Sequence, residues 1–185
     1  MVVLSSMTTL TTPKPEVWPV VLDLNIPGRT ETMVKAELQT EIVRLPLADL
    51  PDDGPRLVVV EIAAGAAVAT RYRRAWDTAR PLPAGQPLVA LVRSTPLSTP
   101  DRIHVIDASS DGQRFTINLD IRYYSGDLAA NVVTIALVQV MLGSLVPGEY
   151  QAIANEATTY LFDLNSPDNT RPATAVAHAL GFRVQ

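Results

Sequence analysis

Cysteine is absent from this 185-residue chain, which removes thiol nucleophiles, disulfides and thiolate metal sites together and leaves the redox compartment unread. Histidine is nearly absent. His104 and His178 are the only two, and neither has a carboxylate or a second histidine at ligand spacing, so the expectation is no metal centre and no histidine-centred catalyst. Lysine is equally scarce: Lys14 and Lys35 are the only lysines among 15 Lys and Arg residues. Arginine suits bidentate contacts to phosphate or carboxylate, although a genomic composition bias produces the same skew. No apolar run is long enough for a bilayer, since the longest, Leu128 to Leu142, is interrupted by Asn131, Thr134 and Gln139. The opening MVVLSSMTTLTTPKP has neither a basic n-region nor a sustained apolar core, and residues 1–16 read as a flexible N-terminal arm. G-x-S-x-G, G-x-G-x-x-G and G-x-x-x-x-G-K-[ST] are all missing. The chain therefore reads as soluble and non-enzymatic, with no catalytic residue, no metal, no cofactor, no small-molecule substrate and no membrane partner expected.

What is present is enough apolar material for one core. At 47% hydrophobic and 18% charged residues, residues 17–185 are expected to form a single domain. A net charge of −4 with pI near 5.1 argues against a surface that is basic throughout, while leaving room for one basic face.

The clearest pattern is Arg114 to Tyr123. Phe115, Ile117, Leu119, Ile121 and Tyr123 share one side of an extended strand, and Arg114, Thr116, Asn118, Asp120 and Arg122 share the other. Such a strand wants a core on one face and water or a polar partner on the other, and its length suits the middle of a wide sheet. Upstream, Val17–Ile26, Val34–Leu45, Leu57–Ile62, Leu88–Arg93 and Arg102–Asp107 read as strands. Loops are expected at Leu45–Pro55, Arg80–Pro87 and Ser94–Pro100, with a hairpin turn at Asp111-Gly112.

Downstream, Asp127 resembles an N-cap and Gly143 a residue just past a helix end, so Leu128–Leu142 is expected to be helical, although its β-branched residues make strand the competitor. Being apolar on every side, that helix needs a second apolar neighbour, either the next helix or another subunit. Tyr150, Ile153, Ala157, Leu161 and Leu164 recur at spacings of three and four and predict an amphipathic helix. A short third helix is expected from Pro172 to Leu180. The fold class that follows is α+β: an antiparallel multi-stranded sheet over 17–124, then C-terminal helices within 127–180 covering one face and interlocked in a dimer.

Two groups of residues are candidates for chemistry. Arg71, Arg73, Arg74 and Arg80, interleaved with Tyr72 and Trp76, combine guanidinium forks with rings that stack on unpaired bases. Their bland alternative is a surface strand with Trp76 tucked into a core edge. Arg114, Thr116, Asn118 and Arg122 form a second polar row, whose alternative is a wet sheet face with Asp120 paired to an arginine. Asp120 and Glu156 are the carboxylates an enzyme would use if they converged in a pocket, but their spacing gives no sign of that.

The order of RFTINLDI (114–121), Tyr124-Ser125-Gly126-Asp127, the run ending Met141-Leu142-Gly143-Ser144, and Ala152-Ile153 resembles the carboxyl-terminal half of single-stranded RNA bacteriophage coat proteins. The resemblance implies a sheet followed by two helices, dimers with interlocked helices, and an icosahedral shell whose inner sheet surface meets the genome. It further implies RNA contact by Arg114, Thr116, Asn118 and Arg122, to which the basic residues Arg71, Arg73 and Arg74 are added. The dimer interface would then be drawn from Leu128, Val132, Ile135, Leu142, Tyr150, Ile153 and Leu161. The expected function is a capsid protein that assembles in the host cytoplasm and resides in the virion, with itself and single-stranded RNA as partners. The alternative is a non-enzymatic protein- or peptide-binding module of α+β type, with Arg71–Trp76 as an electropositive docking strip.

Overall fold

The alternating segment forms the middle strand of a five-stranded sheet, with its apolar side turned towards a second, four-stranded sheet rather than towards helices. The computed structural model describes residues 36–50, 53–62, 65–76, 80–98, 101–124, 133–161 and 170–185, without the side chains of 76, 161 and 170–173. The expected arm and the expected strand Val17–Ile26 lie outside the described residues.

In chain order the strands are β1 (Ala36–Glu37), β2 (Thr40–Pro46), β3 (Leu57–Glu61), β4 (Pro87–Arg93), β5 (Arg102–Ser110), β6 (Arg114–Tyr124), β7 (Thr134–Ser144), β8 (Gly148–Leu161) and β9 (Thr170–Val184). A 3-10 turn at Leu47–Asp49 follows β2, and helix α1 (Val68–Trp76) follows β3. One sheet has the order β1-β5-β6-β8-β9 and the other β2-β7-β4-β3. All pairings are antiparallel except β6 with β8. A parallel neighbour requires a crossover, and here β7 makes it by passing through the opposite sheet.

The expected strands at Leu57–Ile62, Leu88–Arg93, Arg102–Asp107 and Arg114–Tyr123 are present as β3, β4, β5 and β6. The segment Val34–Leu45 is divided, because β1 joins one sheet and β2 the other. Phe115, Ile117, Leu119 and Ile121 of β6 are buried among Leu57, Val59, Ala90, Val138 and Val140 of the facing sheet, so the side assignment read from period two is the observed one.

The α+β architecture with C-terminal helices is wrong. The segment expected to be helical from Leu128 to Leu142 is, where described, the interior strand β7, flanked by β2 and β4. Its apolarity on every side has a different cause. Ala136, Val138, Val140 and Leu142 face the five-stranded sheet, while Ile135 and Leu137 face Tyr72 and Val68 of α1 on the other side. A strand covered on both faces needs no polar positions, and β-branched residues suit it. Gly143, taken as a helix end, has φ +77° and lies where the β4–β7 register shifts, so its left-handed backbone serves a β-bulge. The expected amphipathic helix from Tyr150 is β8, in which Ala152, Ala154 and Glu156 are buried at every second position. The expected third helix lies within β9. In the opposite direction, RYRRAW is helical and not a surface strand.

Helix α1 is fixed by Tyr72, which is fully buried and donates its hydroxyl proton to the carbonyl of Pro55. Burial raises the Tyr72 hydroxyl above its ordinary value, against the opposing charges of Arg93 and Arg56, which keeps it a donor. A methyl group on Gly54 would lie 2.6 Å from that oxygen, so Gly54 is required for close approach. Gly54→Ala is expected to destabilise the protein by about 1–3 kcal/mol in denaturant titration. The penalty should shrink by about half in a Tyr72→Phe background, where the clashing oxygen is gone; equal penalties in both backgrounds would contradict this packing.

Candidate functional site

The two sheets are unequal, and among the described residues the mismatch leaves one side of the sandwich open. Strand β3 spans Leu57–Glu61, whereas β9, the facing edge strand, spans Thr170–Val184. Between them is a cleft of about 790 Å³, lined by Leu57 and Val59 of β3, Tyr150 of β8, Leu180 and Phe182 of β9, and Leu82. Its floor is aromatic: the Tyr150 and Phe182 rings stack with centroids 5.6 Å apart, and Phe115 lies 6.2 Å from Tyr150. Arg80, Glu149 and Arg183 stand at the rim.

Beside this cleft runs a strand edge that is largely unpaired among the described residues. Among the described residues, β9 pairs only with β8, apart from a bridge between Leu82 and Val184 at its C-terminal end. There the Leu82 N–H donates to the carbonyl of Arg183 at 2.8 Å, so the polar backbone groups of Arg183 point away from β8. The register with β8 is unbroken from Thr174 to Val184, and strand alternation therefore directs the backbone groups of Ala177, Ala179 and Gly181 outward as well. From Ala173 to Phe182 the sequence, ATAVAHALGF, contains no Lys, Arg, Asp, Glu or Pro. Those are the residues with which edge strands ordinarily repel other strands.

Beyond the apolar rows, the inner face of β8 and β9 becomes polar. Glu156 is 6% exposed, and its Oε1 lies 3.5 Å from His178 Nε2, one strand away. Burial raises the Glu156 carboxyl above its ordinary value, with the charges of Arg56 and His178 opposing. Nearby, the Tyr123 ring stacks on Tyr160 at 5.6 Å, and its hydroxyl is hydrogen-bonded to Thr95. Burial, the largest cause, pushes the Tyr123 hydroxyl up to about 12. Asp101 closes this end of the sandwich by accepting hydrogen bonds from Ser98 N, Ser98 Oγ and Tyr124 N at 2.6, 2.8 and 2.8 Å.

Comparison with protein families, characterised proteins and solved structures finds no match.

The residues singled out from sequence fall into separate places. Thr116, Asn118 and Arg122 lie on the outer face of the five-stranded sheet, and Arg71, Arg73 and Arg74 lie on α1, beyond the other sheet, so they form no common surface. Arg122 is paired with Asp120 at 2.6 Å, and Asn118 donates to Asp107 and accepts from Asn155. Arg114 is exposed where β6 leaves its hairpin turn. Arg71 donates to the carbonyl of Ala66 and to Gln139 Oε1, and Arg73 to the carbonyl of Asp49, which are anchoring roles for the helix. Tyr72 is inside the core and is no platform for a base, and Arg80 is at the cleft rim.

Of the expected interface residues, Leu128 and Val132, like the side chain of Leu161, lie outside the described residues. Ile135 and Leu142 are buried within the protomer and are not available to a partner. Tyr150 stacks in the cleft floor, and Ile153 is half-buried on the outer sheet face. The carboxylates Asp120 and Glu156 do not converge: Asp120 is opposite Ala157 and Glu156 opposite Leu119, which puts them on opposite faces.

Sequence spacing missed the Glu156–His178 pair, because only strand register brings the two together. Alternation of Ala152, Ala154 and Glu156 was the signal that a carboxylate shares an apolar face.

A carboxyl raised on folding favours the folded state most where it is protonated in both states. Its contribution is full below the unfolded value near 4.5 and is lost as pH rises through the folded value. The stability of Glu156→Gln relative to wild type, measured by urea unfolding, is therefore expected to increase from pH about 4 to pH about 7. A pH-independent difference would contradict the raised carboxyl.

Proposed function

We propose that this chain is a non-enzymatic protein-binding module that takes up an extended segment of another protein as an added strand along β9. The observation that carries this reading is an edge from Thr174 to Phe182 that is unpaired among the described residues and whose C-terminal end, Leu180–Phe182, borders an apolar cleft. In strand addition, main-chain hydrogen bonds supply affinity, while alternate side chains of the ligand enter a neighbouring pocket and supply selectivity. Ala177, Ala179 and Gly181 offer the first, and the space between β3 and β9 offers the second. A ligand with bulky apolar residues at alternate positions suits a cleft of about 790 Å³. A second copy of β9 suits it less well, since its bulky residues Leu180 and Phe182 already pack against its own core. Helices clasped across a sheet, on which a coat-protein role would depend, are not formed by the segment Thr134–Ser144, which is β7 within the four-stranded sheet.

Ala179→Pro removes an outward N–H and leaves the ladder to β8 intact, a position where an edge strand tolerates proline. A library of displayed random decapeptides should enrich on wild type, with binding to Ala179→Pro weaker by about tenfold or more. The thermal midpoint should change by only about 3 °C. On ligand addition, amide exchange at Ala177, Ala179 and Gly181 should slow. Unchanged binding by Ala179→Pro, or slowing confined to α1, would overturn the assignment of the edge.

A further inference from the structure

The inner row of β9 is only partly covered: Val176 is 45% exposed, and His178, Leu180 and Phe182 are half-buried. Apolar side chains in a row of this kind ask for a cover, and the sequence contains a segment that matches them. Residues 20–26 place Val20, Leu22, Leu24 and Ile26 at alternate positions, separated by Val21, Asp23 and Asn25. No other stretch outside the described residues has four bulky apolar residues at that spacing.

For antiparallel addition, the commoner pairing, one register fits both ends of the edge. With Leu22 opposite Leu180, Val20 meets Phe182, Leu24 meets His178 and Ile26 meets Val176. Val21, Asp23 and Asn25 then stand opposite Gly181, Ala179 and Ala177, whose backbone groups point outward, and their side chains fall on the outer face of the sheet. The next hydrogen-bonding position at either end is a proline, with no N–H to offer. Pro19 is opposite Arg183, whose carbonyl already accepts from Leu82, and Pro27 is opposite Ala175.

Chain length favours a segment from a second copy. Ala36 stands in the same cross-strand row as Leu180, through Ser110, Phe115 and Ala152, but at the opposite edge of the sheet. From there to Ile26 of a strand added on β9 is about 27 Å in a straight line through the sheet itself. Residues 27–35 extend to about 30 Å at most, and Pro27-Gly28 is a turn signal that shortens them. That leaves little slack for a path round the sheet, whereas a second copy has no such limit.

Resting on the strand-addition reading, we propose that the segment β9 takes up is residues 20–26 of a second copy of this chain. The chain then associates with itself by donating that strand.

Sedimentation velocity of the full chain tests this with two variants. Leu22→Asp spoils the donor and leaves the edge intact, whereas Ala179→Pro spoils the edge and leaves the donor intact. Wild type is expected to associate as concentration rises, and each variant alone to do so more weakly by about tenfold or more. Mixed in equal amounts, the two variants should form a complex, because one brings a sound edge and the other a sound donor. Asp23→Pro removes the central N–H of the donor without touching its apolar row, and serves if Leu22→Asp fails to fold. Wild type that remains monomeric, or association that persists in both variants, overturns donation by a second copy. So does a monomer in which Leu22→Asp speeds amide exchange at Ala177, Ala179 and Gly181, which assigns the edge to the same chain. Strand addition itself is read separately, from the decapeptide library on Leu22→Asp, which has no donor of its own. Enrichment there leaves strand addition standing whatever the association result, and failure to enrich overturns both.

Discussion

Burial of β3, β4 and β7 on both faces of the four-stranded sheet is the constraint on which the rest depends. Strands β7 and β4 bury Val138, Val140, Ala90 and Val92 against the five-stranded sheet, and Ile135, Leu137, Val89 and Leu91 against the side carrying Tyr72. A sheet without a wet face has to be covered twice, so α1 is required as a third layer and the Tyr72–Gly54 contact becomes a fixed point. The five-stranded sheet has no such requirement. Its outer face keeps the polar chain of Asp107, Asn118 and Asn155 that strand alternation predicts for a solvated surface.

That difference in burial explains why some elements were legible in the sequence and others were not. Strand β6 has one dry and one wet face, and its alternating residues identify it and its orientation directly. Strand β7 has two dry faces, and a run apolar on both of them, broken in its interior only by Gln139, carries no period to separate strand from helix. Its flanking glycine compounded the ambiguity, since a left-handed residue serves a bulge as well as a helix end. In β8 the inward positions are Ala152, Ala154 and Glu156, too small or too polar to mark a core face. The larger Tyr150, Ile153 and Leu161 happened to fall at helical spacing. Strand β9 is alanine-rich, and alanine favours helix by intrinsic propensity; tertiary pairing with β8 overrides it.

The candidate site was less legible than the fold because it depends on register. Glu156 and His178 are diagonal neighbours across β8 and β9, and a helical reading of either segment separates them. Basic residues misled for the opposite reason. The cluster Arg71, Arg73 and Arg74 is conspicuous in the sequence, yet two of its members are engaged in holding α1 to neighbouring carbonyls. Conspicuous charge identified a structural element, whereas the unremarkable stretch ATAVAHALGF forms the open edge.

An unguarded edge is hazardous only when it is long enough, and open enough at its ends, to template indefinite stacking. Here it is bounded on both sides. The β8–β9 register shifts at Thr158/Thr159, and Pro172, with no N–H to offer, lies just beyond that irregularity. At the other end Leu82 already occupies the backbone of Arg183, and the adjacent Ala84 N–H donates to Gln185. The length unpaired among the described residues, Thr174–Phe182, is that of one short strand. Because the apolar cleft is on only one side of that strand, at Leu180–Phe182, the proposed added segment would carry apolar residues at alternate positions there and small or polar ones between. Limited length and one-sided apolarity are what the proposed strand addition requires, and an indefinitely stacking surface would present neither.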